Sequence, residues 1–501
     1  DRYQLEFKLA YPIDRAQKRT HYRLSIFIFV PQNLGIHRHS YTSADFYRDI
    51  QNYIRLKTPS MSLTELAEEP ASPLNVMTRL LREGNWPKDR ETAGQLINSF
   101  KFTRAILKSA IRDELEAFVR QMAGRADDAH LSSALAEQIN DLCAQVQTVV
   151  RAYRTAETLL PETIESANPL IQEVRLAYKL SDEAISLLVE RDYVRALLLL
   201  RRLPQDERVR QVAACLAACA EAEAAYRRAQ GYTSVIDPNS RNEEYMYRAS
   251  VLKKYTSSVL FLYRALRREG TVLEQVLYAV AAGVSMIFAT LVAFYFQQRY
   301  GNFTTPFFAA LVVGYMFKDR IKEIGRLISS RYLQRYLYDR RIDVRTMDGQ
   351  ERLGYIREKM HFIPEGEVPP EVMQARNRQL MTELANDGQG EQVIRYDKEV
   401  TLFCNAFEHI YPNMPQFTGL NDIMRYDIRP FLYKMANPTE RVLYVQNGRL
   451  RKAKAHRLYA VNFVLVYQDK DRVQGDGQAV IYERSRAMMD RKGLQKVEVF
   501  A

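Results

Sequence analysis

The 501-residue chain carries none of the short motifs that announce a familiar chemistry. It has no Walker-type phosphate loop, no dinucleotide glycine fingerprint, no nucleophile elbow, no helical zinc-binding histidine pair and no kinase signature. The glycines of Asp387-Gly388-Gln389-Gly390 and Gly475-Asp476-Gly477 stand in polar stretches, without the strand before and helix after that a phosphate cradle needs. Cysteine is scarce. Cys143, Cys215, Cys219 and Cys404 follow no metal or disulfide pattern, and Cys215 and Cys219 share a helix face with no histidine near to complete a metal site. Small buried thiols in a reducing compartment are the expectation. His37 and His39 alternate as two ligands on a strand would, but with no carboxylate or thiol beside them they are expected in a surface loop. His361 and His409 stand alone. These absences leave no catalytic, cofactor-binding or metal-binding residue to assign, and no cofactor is expected. No fixed repeat marks a solenoid.

Long apolar runs are also few. Charged residues make up 26% of the chain and mean hydropathy is −0.34, which excludes a many-span transporter. The charge of +12 is spread along the chain, as in a cytoplasmic membrane protein obeying the positive-inside bias.

One run is different. Residues 276–296, VLYAVAAGVSMIFATLVAFYF, hold 21 positions without a charge; as a helix they reach ~31 Å, the thickness of a hydrocarbon core. Gly301 and Asn302 suit a tight turn, and Thr305-Pro306 reads as a helix start. A second apolar segment, 306–317, follows. Even extended to residue 303 it reaches only ~22 Å, before Lys318 and Arg320 open an amphipathic stalk. The expectation is a transmembrane helical hairpin over 271–318 with a stalk over 319–340. Lys253, Lys254, Arg264, Arg267 and Arg268 precede it and Lys318, Arg320, Lys322 and Arg326 follow it, against Arg299 alone in the connection. That asymmetry places both ends of the chain on the cytoplasmic side. Ala281, Ser285, Ala289 and Ala293 recur at every fourth position, as do Ala279 with Gly283 and Ala310 with Gly314. Such ladders allow close helix packing, within the hairpin or against another subunit. No charged residue inside either segment suggests a proton relay.

The soluble remainder is expected to be α+β. Residues 3–13 and 21–30 read as paired strands, followed by a helix over 43–56, giving an N-terminal unit over 1–60. From 61 to 230 a helical bundle is expected. Ser62 with Glu65 forms a capping box, Ser72-Pro73 starts a helix, and an apolar stripe runs from 91 to 122. Further helices are expected over 129–159, 162–180, 182–203 and 205–229, with 231–270 a linker and juxtamembrane helix. Residues 341–501 read as a second α+β domain, with Asn447-Gly448 the strongest hairpin signal and a strand expected over 455–468. The fold class expected is therefore an α+β membrane protein: a mainly helical cytoplasmic bundle, a two-helix transmembrane hairpin, and small antiparallel β modules near both termini.

The run 449–457 concentrates positive charge: Arg449, Arg451, Lys452, Lys454 and Arg457 are candidates for contact with an anionic membrane surface. Arginine beside tyrosine, as in Tyr153-Arg154 and Tyr226-Arg227, suits protein interfaces. The expected function is a membrane-anchored, cytoplasm-facing scaffold or assembly subunit without catalysis, homo-oligomeric, in a bacterial inner membrane. Its expected partners are the lipid bilayer, further copies of itself and other proteins rather than nucleic acid. Two alternatives stand: a pore component with Ser285 and Thr290 toward a lumen, and an enzyme with an unfamiliar site around Asp397, His409 and Asp422.

Overall fold

The computed structural model describes residues 2–123, 129–161, 168–301, 304–347, 349–377, 390–408, 410, 417–469 and 480–500. Its organising strand lies near the start of the chain. β1 (Gln4–Pro12) is followed by β2 (Arg19–Val30), in which every residue from 24 to 30 is buried. A strand apolar on both faces needs cover on both, so it belongs at the centre of a layered sheet. Its neighbours are β7 (Gln392–Phe403) on one side and β11 (Tyr459–Asp469) on the other. The whole sheet has eight antiparallel strands in the order β13 (Gly493–Phe500), β12 (Val480–Asp490), β11, β2, β7, β6 (Arg352–Ile363), β5 (Arg340–Arg345), β4 (Tyr263–Arg267). A second sheet holds β1, β8 (Gly419–Asp427) and β3 (Ile50–Leu56) in that order. Leu5, Met424 and Tyr426 of the small sheet pack on Leu24, Ile26 and Ile28 of β2. Phe27 and Phe29, on the other face of β2, pack with Val368 and with Val372 of α11 (Pro370–Arg376).

The small β modules expected near the two termini are therefore corrected to one large sheet that draws strands from both ends of the chain. β1 and β2 do not pair with each other. The polar connection between them supplies no two-residue turn, and each strand finds better-buried partners far along the chain. The helix expected over 43–56 is also shorter. α1 (Ser43–Asp49), opened by a Thr42–Asp45 capping box, gives way to β3, where Ile50, Asn52, Ile54 and Leu56 alternate inward with a period of two. Asn447 and Gly448, both at positive φ, join β9 (Thr439–Gln446) to β10 (Arg449–His456) as the sequence signal implied. The strand expected over 455–468 is divided, because β10 ends at His456 and β11 begins at Tyr459.

The bundle comprises α2 (Leu63–Glu68), α3 (Pro73–Glu83), α4 (Arg90–Ala123), α5 (Ala129–Thr155), α6 (Pro169–Leu200), α7 (Glu207–Ala229) and α8 (Glu243–Ser257). The Ser62–Glu65 box and the Ser72 cap with Pro73 at the first turn start α2 and α3. The stripe of α4 is buried at Leu96, Phe100, Ile106, Ile111, Leu115 and Phe118, each side chain contributing about 1.5–3 kcal/mol. The break expected near Ser181 is absent. α6 runs through it, and Ser181 lies buried inside the bundle, where packing outweighs a modest propensity difference. Phe102 of α4 packs against Phe417, the rings tilted at 50° and 5.7 Å between centroids, and joins the bundle to the sheets.

Between β4 and β5 the chain makes α9 (Thr271–Tyr300) and α10 (Thr305–Tyr336), which pack against each other. Here the expected two-helix transmembrane hairpin is corrected. Among the described residues only Thr271–Tyr300 is long and apolar enough to cross a membrane, with a mean hydropathy of 2.2 over its best window. The reason is composition: the apolar part of α10 ends at Phe317, and Lys318, Asp319, Arg320, Lys322 and Glu323 follow within two turns. Because β4 pairs antiparallel with β5, the arm leaves and rejoins the body at one edge of the sheet.

Candidate membrane-contact surface

Small residues set how the two arm helices meet. A Cβ on Gly314 would stand 3.3 Å from Val292, and one on Gly325 would stand 2.8 Å from Ala281. Both glycines admit the facing helix at close range. Ser285 and Ala310 are buried in the same seam, and Ala281, Ala289 and Ala293 are half-buried along it. The second ladder is not in the seam. Ala279 and Gly283 lie on the open side, where a Cβ on Gly283 would meet nothing within 4 Å. Ser285 donates to the carbonyl of Ala282 and Thr290 to that of Met286, so both hydroxyls are spent on their own helix.

The outward surface is apolar. Val276, Val280, Val284, Ile287, Leu291 and Phe294 are each more than half exposed on α9, and Phe308, Met316 and Phe317 continue the surface on α10. Monomeric soluble proteins rarely leave so large a contiguous apolar patch in water. The pairing of Val292 with Gly314 and of Ala281 with Gly325 fixes the antiparallel register. Residues 306–317 of α10 therefore lie beside the second half of α9, and the charged stretch of α10 lies beside its first half. Arg326, 5.4 Å from the Tyr278 ring centroid, marks that proximal half.

The basic residues expected to flank the membrane divide into groups. Arg264 and Arg267 lie on β4 and Arg268 follows it, at the root of the arm. Arg264 donates to the Asn52 carbonyl, Arg267 faces Asp343 at 3.7 Å and Arg268 faces Glu274 at 3.7 Å. Lys318, Arg320, Lys322 and Arg326 lie on α10, with Lys318 3.9 Å from the Tyr315 ring centroid. Lys253 and Lys254 lie elsewhere, on α8, which packs on α4 and α6 of the bundle. Beside the root a cleft of about 1370 Å³ is lined by Arg23, Arg268, Tyr338, His361, Arg395 and Asp397, among others. Burial holds the His361 imidazole below its ordinary pKa, and its Nδ1 has no hydrogen-bond partner.

The β9–β10 hairpin is exposed along almost its whole length. Register puts Leu443, Val445 and Leu450 on one face near the tip, followed on that face by Lys452, Arg441 and Lys454. Arg449 and Arg451 flank Tyr444 on the other face, and Arg457 pairs with Glu440 at 2.9 Å. The basic half of this surface was legible in the sequence. The apolar tip was missed, although the alternation on either side of Asn447-Gly448 carried it.

The sequence also missed a charge cluster between the two sheets. Lys398 of β7 is fully buried, 3.4 Å from Glu358 of β6 and paired with Asp422 of β8. Glu358 further accepts from Tyr396 Oη at 2.7 Å, from Asn52 Nδ2 at 2.6 Å and from Arg340. Burial pushes the Glu358 carboxyl up, but Lys398 and Arg340 together outweigh it and hold the group below its ordinary value. Burial dominates at Asp422 and raises it, against the pull of Lys398. Asp397, next in sequence to Lys398, points to the opposite face, where Ser25 Oγ donates to it at 2.6 Å. The enzyme constellation of Asp397, His409 and Asp422 is therefore not assembled: its two aspartates lie on opposite faces of the sheet, and His409 is outside the described residues.

His37 and His39 are exposed in a loop. Cys143 and Cys219 approach to 3.7 Å between sulfurs, while Cys215, expected to be buried, is exposed. Among the described residues no group of three or more histidine, cysteine, aspartate or glutamate side chains can hold a metal ion. Tyr153 stacks on Tyr178 inside the bundle, and Tyr226 carries the Arg154 guanidinium 3.6 Å from its ring centroid, so these tyrosines serve internal contacts.

Fold and surface together define an α+β protein with one long apolar arm. No protein-family model, curated protein or solved structure matches the chain.

Proposed function

We propose that this chain is a membrane-anchored scaffold or assembly subunit, held by α9 with its body on the cytoplasmic face. The observation that carries the reading is the apolar surface of α9, of whose best 18-residue window only 11% is buried. The register sets residues 318–323 of α10 beside residues 283–288 of α9, near the middle of the apolar run, so its lysines and arginines meet anionic lipid by extending toward the cytoplasmic end. The cytoplasmic side is favoured by the basic residues at the root and on α10, against Arg299 alone at the far end. The β9–β10 hairpin, with basic residues behind an apolar tip, suits a second contact with the same surface. Self-association is favoured by the open Ala279–Gly283 strip, a form of small-residue spacing that supports helix contacts in lipid.

Alkaline carbonate extraction of membranes tests the anchor. The wild-type chain is expected to stay in the pellet, and Ile287→Asp with Leu291→Asp to release it, each charge costing about 2.5–3.5 kcal/mol at mid-membrane. A wild-type chain extracted by carbonate defeats the reading. Light scattering of the detergent-solubilised chain tests the oligomer: a particle of several subunits is expected, and a monomer at micromolar concentration removes that part of the proposal.

A further inference from the structure

Three of the four cysteines gather where α5 meets α7. Cys143 of α5 is buried, and its Sγ lies 3.7 Å from that of Cys219 on α7, 76 positions further along the chain. Cys215 stands one turn before Cys219, on the same face of the helix, and is exposed. An opening of about 350 Å³ beside them is lined by Gln147, Arg151, Tyr193, Cys215, Cys219 and Glu223, among others. Cys219 is partly exposed to this opening, whereas Cys143 is 4% exposed and does not line it. The pair therefore has one sulfur that a small molecule can reach and one held directly behind it.

The polar groups around the two sulfurs are donors. Gln147 Nε2 donates to Cys219 Sγ at 2.9 Å and lies 3.8 Å from Cys143 Sγ. Its Oε1 accepts from Arg151 Nη2 at 3.2 Å, which turns the amide so that its NH2 faces both sulfurs. Tyr193, 5% exposed, lines the same opening, and its Oη has no hydrogen-bond partner. After burial, Cys143 is the group that bears most on the ionisation of this phenol. A buried hydroxyl without a partner costs stability unless some state of the protein uses it. A thiol is a weak acceptor and a thiolate a strong one, so both donors gain when a sulfur ionises.

We propose that Cys219 and Cys143 are a redox pair that exchanges with a low-molecular-weight disulfide admitted by this opening. The Cys219 thiolate attacks one sulfur of the small disulfide, forming a mixed disulfide and expelling the first small thiolate. Cys143 then attacks the Cys219 sulfur and expels the second. The small disulfide is reduced to two thiols, which take up the two protons the cysteines release. The two protein thiols are oxidised to one disulfide that staples α5 to α7. Burial pushes both protein thiols above their ordinary range, so exchange is slow at neutral pH and quickens as pH rises. This chemistry needs neither the apolar arm nor a membrane.

The test treats the full chain in detergent, freed of reductant, with oxidised glutathione. Remaining thiols are then blocked with N-ethylmaleimide and the peptides are mapped by mass. A Cys143–Cys219 link that dithiothreitol reverses is expected. Cys143→Ser is expected to hold glutathione on Cys219 instead, and Cys215→Ser to leave the Cys143–Cys219 link intact. Gln147→Met keeps the length of the side chain and removes its donor. It is expected to slow formation of the link about tenfold and to move the pH profile of the rate upward. An unmoved profile assigns Gln147 to packing alone and removes it from the proposal. A chain whose Cys143 stays free overturns the pair, whether glutathione settles on Cys215, Cys215 links to Cys219 or no thiol reacts.

Discussion

Two lysines withdrawn from water stand in opposite company. Lys398, between the sheets, faces the carboxylates of Glu358 and Asp422, and around it every residue named contributes a hydrogen bond or an opposite charge. Lys108 of α4 feels the like charges of Arg104, Lys253, Arg191 and Arg55, with Asp192 acting against them. The first set finds its opposite charges within the chain and serves as an internal staple, tying β6 and β7 of the large sheet to β8 of the small one, although Asp422 Oδ1 and Asn52 Oδ1 have no hydrogen-bond partner. In the second set the carboxylate of Asp192 is held by Arg191 at 3.3 Å, and Lys108 makes no ion pair among the described residues. Burial alone does not make a charge stabilising or destabilising; the sign of its neighbours decides.

The sharpest way to break the contrast is Lys398→Met. It leaves Glu358 and Asp422 buried with less counter-charge and is expected to destabilise the chain by about 3–5 kcal/mol, read from denaturant midpoints. Tyr396→Phe removes one hydrogen bond to the Glu358 carboxylate and is expected to cost roughly 1.5–3 kcal/mol. Lys108→Met reverses the sign, raising stability by roughly 1 kcal/mol once solvent screening at this partly exposed site is allowed for. A loss of stability there would erase the contrast. The smallest effect is in pH. The Lys108 pKa falls from 10.5 to about 8 on folding, burial first and its basic neighbours second. Between those values the unfolded chain holds a proton that the folded chain has released, so stability rises with pH across that window. The advantage of Lys108→Met over wild type is therefore full below pH 8 and fades toward pH 10.5, which paired melting curves measure.

Local signals were legible where local physics decides. The Ser62–Glu65 box, the Ser72-Pro73 start, the α4 stripe and the Asn447-Gly448 turn all concern groups a few residues apart. The boundary between α1 and β3 was hidden because Ile50 and Ile54 fit either period until a partner strand is known. β1 and β2 were misread as a hairpin because nothing in 3–30 reveals that their partners come after residue 391. The uncharged run of α9 was plain from length alone, whereas α10 needed its charges weighed as well as its apolar start. The surfaces at Lys398 and Lys108 were invisible for one reason: each joins residues from three or four distant elements, and a single lysine in a strand or helix says nothing of the sign of its neighbours.

The central place of β2 has a consequence for how the chain is made. About 360 residues separate Val30 from its first partner strand at Gln392, and at roughly 5–20 residues per second the ribosome needs about 20–70 seconds to cover them. During that time a strand apolar on both faces has no sheet to join, while the bundle helices, built from local contacts, fold early. The apolar arm is translated within the same interval. On the proposed membrane reading, it meets the bilayer before the large sheet closes, so anchoring would precede completion of the body and the final strands would seal a sheet whose edge is already tethered.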